Sequence, residues 1–130
     1  MNMKNIHVVA AIILKDDKIF VTQRGYGEFK GFYEFPGGKI EQLETQEEAL
    51  KREIKEELDA SININSFLTH VEYDYPSFHL SMECYLCSFI DDHYILKEAS
   101  DSKFVTKKEL DNIDFLPADI LVKEELKKVI

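Results

Sequence analysis

The chain has 130 residues, of which 45% are hydrophobic, and carries a formal net charge of −9. That length is ordinary for one globular domain with a full core, 1–130, and the acidity argues against a nucleic-acid-binding surface. The longest apolar run, Val8 to Leu14, is too short to span a membrane, and the N-terminus lacks the layout of a secretory signal, so a cytoplasmic protein without membrane contact is expected.

Residues 5–14, rich in Val, Ile and Ala, are predicted to form a strand. Lys15-Asp16-Asp17-Lys18 is a polar turn, and Ile19 to Thr22 completes a hairpin. Arg24 follows; a guanidinium suits phosphate geometry, and an ordinary surface arginine reads the same way. Gly25 to Gly31 is a loop, and Gly31 to Phe35 leads as a short strand into a Pro36-Gly37-Gly38 turn. The glycine pair would let backbone approach a ligand closely.

The helix that comes next has strong local signals. Thr45 and Glu48 have the spacing of a capping box, and Ala49, Leu50, Ile54 and Leu58 form an apolar stripe. Glu53, Glu56 and Glu57 fall at i, i+3 and i+4, roughly 100° around the helix from that stripe. Carboxylates so placed repel and weaken an isolated helix. A hard divalent cation with oxygen ligands would gain from them. Arg52 sits within the same turns, placed to pair with Glu48, Glu56 or an incoming acid, and a solvated surface helix is the plain alternative.

Beyond the helix, Ser61 to Asn65 reads as a polar connection with a short strand, and Thr69 to Tyr75 as a half-buried strand. Pro76-Ser77 turns the chain into a strand from Phe78 to Ile90. Tyr73, Tyr75, Phe78 and Tyr85 serve either as core or as a surface for stacking a base. Cys84 and Cys87 form C-x-x-C, but residues three apart on a strand face opposite ways, so both are read as small buried hydrophobes. After an irregular stretch containing Glu98, Ser102 to Thr106 forms a last strand and Lys107 to Leu110 a short helical turn. The final helix starts near Pro117, with Leu121, Val122, Leu126 and Val129 as its apolar side. Asp119, in its first turn, complements the helix dipole.

Gly38, Glu44, Arg52-Glu53, Ile54 and Glu56-Glu57 stand at the spacing G-x5-E-x7-R-E-U-x-E-E, where U is a bulky apolar residue, and the pattern resembles the Nudix box. Asp59 stands where that family has Gly, and Leu43 where Gly is frequent. The resemblance implies an α/β/α sandwich with a mixed sheet, and metal-dependent hydrolysis of a nucleoside triphosphate to the monophosphate and pyrophosphate. It further implies that Glu53, Glu56, Glu57, Glu98 and a backbone carbonyl of Gly37-Gly38 hold magnesium, with manganese as a substitute. Glu53 would also act as general base, while Arg52 and Glu44 orient the acids. Arg24 becomes a phosphate contact, Phe78 a substrate contact, and Asp119 a base-reading residue like that of MutT-type enzymes. Oxidised dGTP or CTP-like nucleotides are the expected substrates, and a monomer or homodimer the expected state. A pyrophosphohydrolase acting on ADP-ribose or a nucleoside-diphosphate sugar, and a non-catalytic nucleotide sensor, are the alternatives.

Overall fold

A computed structural model describes residues 3–130. Its strands are β1 (Lys4–Lys15), β2 (Lys18–Gln23), β3 (Tyr33–Glu34), β4 (Gly37–Lys39), β5 (Ile62–Tyr75), β6 (Phe78–Phe89) and β7 (Asp101–Thr106). Helix α1 (Gln46–Leu58) follows β4, and α2 (Pro117–Lys127) closes the chain after a 3₁₀ turn at Lys108–Asn112. The sheet is mixed: β1 runs parallel to β6 and antiparallel to β2 and β4, and β5 pairs antiparallel with β6.

The organising strand is β1, which is buried on both faces. Val9, Ala11 and Ile13 pack with Ala49, Leu50, Ile54 and Leu58 of α1. Ala10 and Ile12 pack with Ala118, Val122 and Leu126 of α2. A strand covered on both sides has no polar face to alternate with, which is why β1 reads as a continuous apolar run. At its start, Val8 to Ala10 pair with β4, and at its end Leu14 and Lys15 pair with β2. The edge of β1 away from β6 is therefore split between two partners, with Ala11 donating to the Pro36 carbonyl between them at 2.8 Å. The candidate site grows from this split.

Three expectations need correction. Gly37 and Gly38 are not a turn but a short strand: an added Cβ at Gly37 would stand 2.8 Å from the Ala10 Cα and closer still to the Val9 carbonyl oxygen. The segments read separately around Ser61–Asn65 and Thr69–Tyr75 are one strand of 14 residues. Irregular register at Ile64/Ser66 and Phe67/Thr69 interrupts its period-two pattern. Leu121 is 41% exposed and Val129, beyond the end of α2, is 59% exposed; the buried side of α2 is Ala118, Asp119, Val122 and Leu126. Cys84 and Cys87 do lie in separate core clusters on opposite faces, and burial pushes both thiols up.

Candidate active site

Helix α1 starts where its capping box places it. The Glu48 amide donates to the Thr45 hydroxyl at 3.1 Å, and the Thr45 amide donates to the Glu48 carboxylate at 2.9 Å. Its apolar stripe locks onto β1, which turns the acid-bearing side toward β4. The helix ends at Asp59, whose φ of 49° is left-handed, the conformation that favours glycine at this position. Leu43 is likewise held at φ 69° and is 96% exposed.

Arg52 organises the box. Its Nε and Nη2 grip Glu44 bidentately at 2.6 and 2.9 Å, and Nη2 also donates to the Lys39 carbonyl at 2.9 Å. Nη1 donates to Glu53 at 2.9 Å and to Glu56 at 3.1 Å. One guanidinium thus ties the helix to the loop and to β4 while setting the rotamers of two acids. The Arg52 contact, then the Glu41 backbone amide, holds the Glu44 carboxyl below its usual range. Gly38 lies against Glu53 so closely that a Cβ would overlap that carboxylate, 2.8 Å even from its farther oxygen. Glycine here leaves the Glu53 carboxylate its place; a methyl group would displace it.

Glu57 lines a small cavity of about 80 Å³, together with Gly37, Glu34, Arg24 and Glu98. Burial, then the negative charges of Glu53, Glu34 and Glu98, push its carboxyl up to about 8, against the pull of Arg24. Glu98 reaches this place because its loop is pinned to the end of α1: the Ile95 amide donates to the Leu58 carbonyl at 2.7 Å, and the Lys97 amide to that of Glu57 at 3.2 Å. Arg24 is not a free surface arginine; its Nε and Nη2 donate to Glu34 at 3.0 and 2.8 Å.

Arg24, Glu34 and Gly37 also line a second, larger cleft of about 320 Å³, whose walls include Phe35, Tyr75, Phe78 and Met82. Asp119 lines it too, only 6% exposed, and accepts from the Phe35 amide at 3.3 Å. Burial first, and Glu34 second, push its carboxyl up to about 8. The Tyr75 hydroxyl accepts the Ala118 amide at 3.2 Å, so this aromatic caps α2 beside Asp119. Phe78 stacks on Tyr75 with ring centroids 4.9 Å apart. The expected residues therefore fall into two adjoining groups: Glu44, Arg52, Glu53, Glu56, Glu57 and Glu98 on one side, and Phe78 and Asp119 on the other, with Arg24, Gly37 and Gly38 between. Glu34 escaped the sequence reading; a lone acid in the aromatic run Gly31 to Phe35 was its only signal.

The anionic groups lining the cavity with Glu57 are the carboxylates of Glu34 and Glu98, and oxygen ligands suit a hard divalent ion. Among the described residues no three acidic, histidine or cysteine side chains converge on one point, because Arg52 draws Glu53 and Glu56 to itself. The Glu57 carboxyl, pushed up by burial and then by the negative charges of Glu53, Glu34 and Glu98, is nonetheless a place where added positive charge is favourable.

Residues 8–124 match the NUDIX domain family model. The chain is 31% identical over 129 residues to the 8-oxo-dGTP diphosphatase of Escherichia coli (strain K12), covering 98% of this chain and 100% of that one. It is 45% identical over 67 residues to the CTP pyrophosphohydrolase of the same strain, covering 51% of this chain and 50% of that one. The solution structure of the E. coli ORF135 protein has the same fold, with a TM-score of 0.85, 28% identity, and coverage of 98% of this chain and 91% of that one. A match over nearly the whole length, a mixed sheet between two helices and an intact acidic box lead to one conclusion: this chain belongs to the Nudix hydrolase family.

Proposed function

We propose that this chain hydrolyses (deoxy)nucleoside triphosphates to the monophosphate and pyrophosphate with magnesium, and that its substrates carry an oxidised guanine or a cytosine-like base. The observation that carries this reading is the adjacency of the two cavities. A small acidic one and a larger apolar one share Arg24, Glu34 and Gly37, which is the division a nucleotide presents between phosphates and base. The names of two relatives, an 8-oxo-dGTP diphosphatase and a CTP pyrophosphohydrolase, point the same way.

Glu53, Glu56, Glu57, Glu98 and a carbonyl of Gly37 or Gly38 would hold the ion. When bound, it offsets phosphate charge and polarises the phosphoryl oxygen. Arg52, held by Glu44, fixes where Glu53 and Glu56 point. Glu53, packed against the Gly38 backbone, takes the proton from the attacking water. Arg24, positioned by Glu34, faces the polyphosphate. The base enters between Phe78 and the Phe35 wall. Asp119 spends one oxygen on the Phe35 amide and, kept neutral by burial, has both an acceptor and a donor for the base edge.

The test is a panel of 8-oxo-dGTP, dGTP, CTP, dCTP and ADP-ribose with magnesium, with products identified. Pyrophosphate and a monophosphate from a triphosphate are expected. Turnover of ADP-ribose alone, or orthophosphate as the product, would overturn the reading, and tight nucleotide binding without turnover would make the chain a sensor.

A further inference from the structure

The sheet face that packs on α1 carries a second polar array, away from the acidic box. His70, Glu72 and Asp74 alternate along β5, opposite Glu83, Ser81 and His79 of β6, and His7 of β1 lies opposite Ser81. Their side chains form one line. The Asp74 carboxylate meets His79 Nδ1 at 2.5 Å, and His79 Nε2 meets Glu72. Glu72 meets His70 Nε2, His70 Nδ1 meets Glu83 at 2.5 Å, and Glu83 meets His7 Nε2 at 2.6 Å. The Ser81 hydroxyl also donates to Glu72, at 2.9 Å.

Both ring nitrogens of His70, and both of His79, therefore face carboxylate oxygens. A neutral imidazole donates from only one nitrogen and would turn a lone pair toward the other carboxylate. Only the imidazolium satisfies both contacts. The opposite face of the same strands supplies Ile6, Val8, Tyr75, Phe78, Leu80 and Met82 to the apolar cleft. The line thus runs across the back of the cleft wall.

We propose that His70 and His79 are protonated in the folded protein at neutral pH and, through the Glu72 they share, form a proton-dependent staple across β5 and β6 behind the cleft. The groups facing the two rings are Glu72, Asp74 and Glu83, with His7 on the far oxygen of Glu83; no charge of α1 is among those acting on either ring. The bonds to Glu83 and Glu72 raise His70 above 6.5, and those to Asp74 and Glu72 raise His79. His79 first, then Ser81, holds Glu72 down to about 2. A raised histidine stabilises the fold below its unfolded pKa and loses that contribution as pH rises through its folded pKa. The staple accordingly contributes in full below about pH 6.5, still holds at neutral pH, and releases as pH rises through the raised folded values.

Histidine ring NMR between pH 5 and 10 tests it, together with amide exchange of β5 and β6 corrected for intrinsic rate. Both rings are expected to titrate above 6.5, with faster exchange at the alkaline end. Glu72→Gln should lower both midpoints together, and Asp74→Asn only that of His79. Both sites are exposed, and the urea midpoint of each variant confirms that it folds. Midpoints at or below 6.5, or a Glu72→Gln effect on one ring alone, would overturn the proposal.

Discussion

Glu57 and Asp119 are both carboxyls pushed up to about 8, with burial as the first cause, yet they answer different problems. At Glu57 burial comes first, and the negative charges of Glu53, Glu34 and Glu98 add to it. Asp119 sits at an apolar wall with one amide bonded to it, so its neutrality comes mostly from lost water. A cation beside Glu57 would reverse its state; nothing comparable would relieve Asp119. Under the proposed function, Glu57 is the acid that would hold the ion and Asp119 the one that would meet the base.

Removing the acid that faces the cavity should give the largest effect. Glu57→Gln is expected to lower kcat by about 10²–10⁴-fold with little change in fold, checked by pyrophosphate release and circular dichroism. Gly38→Ala puts a methyl group into the Glu53 carboxylate and should cost nearly as much. Asp119→Asn keeps the shape of the side chain but fixes its donor and acceptor, so base selectivity should change while kcat on the best substrate falls less. Ratios of kcat/KM across the panel measure this.

The same comparison predicts a pH effect. Glu57 and Asp119 have folded pKa values raised from 4.5 and 3.8 to about 8. Across that window the folded protein holds protons the unfolded chain has released, so ion-free stability falls as pH rises toward 8. Magnesium competes with the proton on Glu57 alone. It should therefore raise Tm more at pH 8.5 than at pH 6, and Glu57→Gln should remove that difference while leaving the Asp119 share. The smallest effect concerns Asp59. Glycine relieves its left-handed backbone but loses the contacts to His93 and Lys55, so Asp59→Gly should raise Tm by about 1–2 °C and leave activity unchanged.

What could be read from the residues was what is encoded locally. The cap of α1 and its apolar stripe depend only on helix geometry, and both stand as expected, whereas Glu53 and Glu56 turn to Arg52 instead of converging with Glu57. The β1–β2 turn was equally legible, with Asp16 and Asp17 taking the positive φ that a tight hairpin needs. The glycine pair was misread because a turn and a close approach call for the same residue. Strand β5 was split because its irregular register hides its period. Burial of Asp119 follows from Phe35 and Tyr75, far away in the chain, and no helical pattern announces it. The histidine line was invisible for the same reason, since it is assembled from three strands.

The most direct test is a crystal soaked in manganese and measured for anomalous scattering. The account predicts a peak in contact with Glu57 and at least one of Glu53 and Glu56, beside the Gly37-Gly38 backbone. A map with no peak there at saturating manganese, with Glu53 and Glu56 still bound to Arg52, would contradict it.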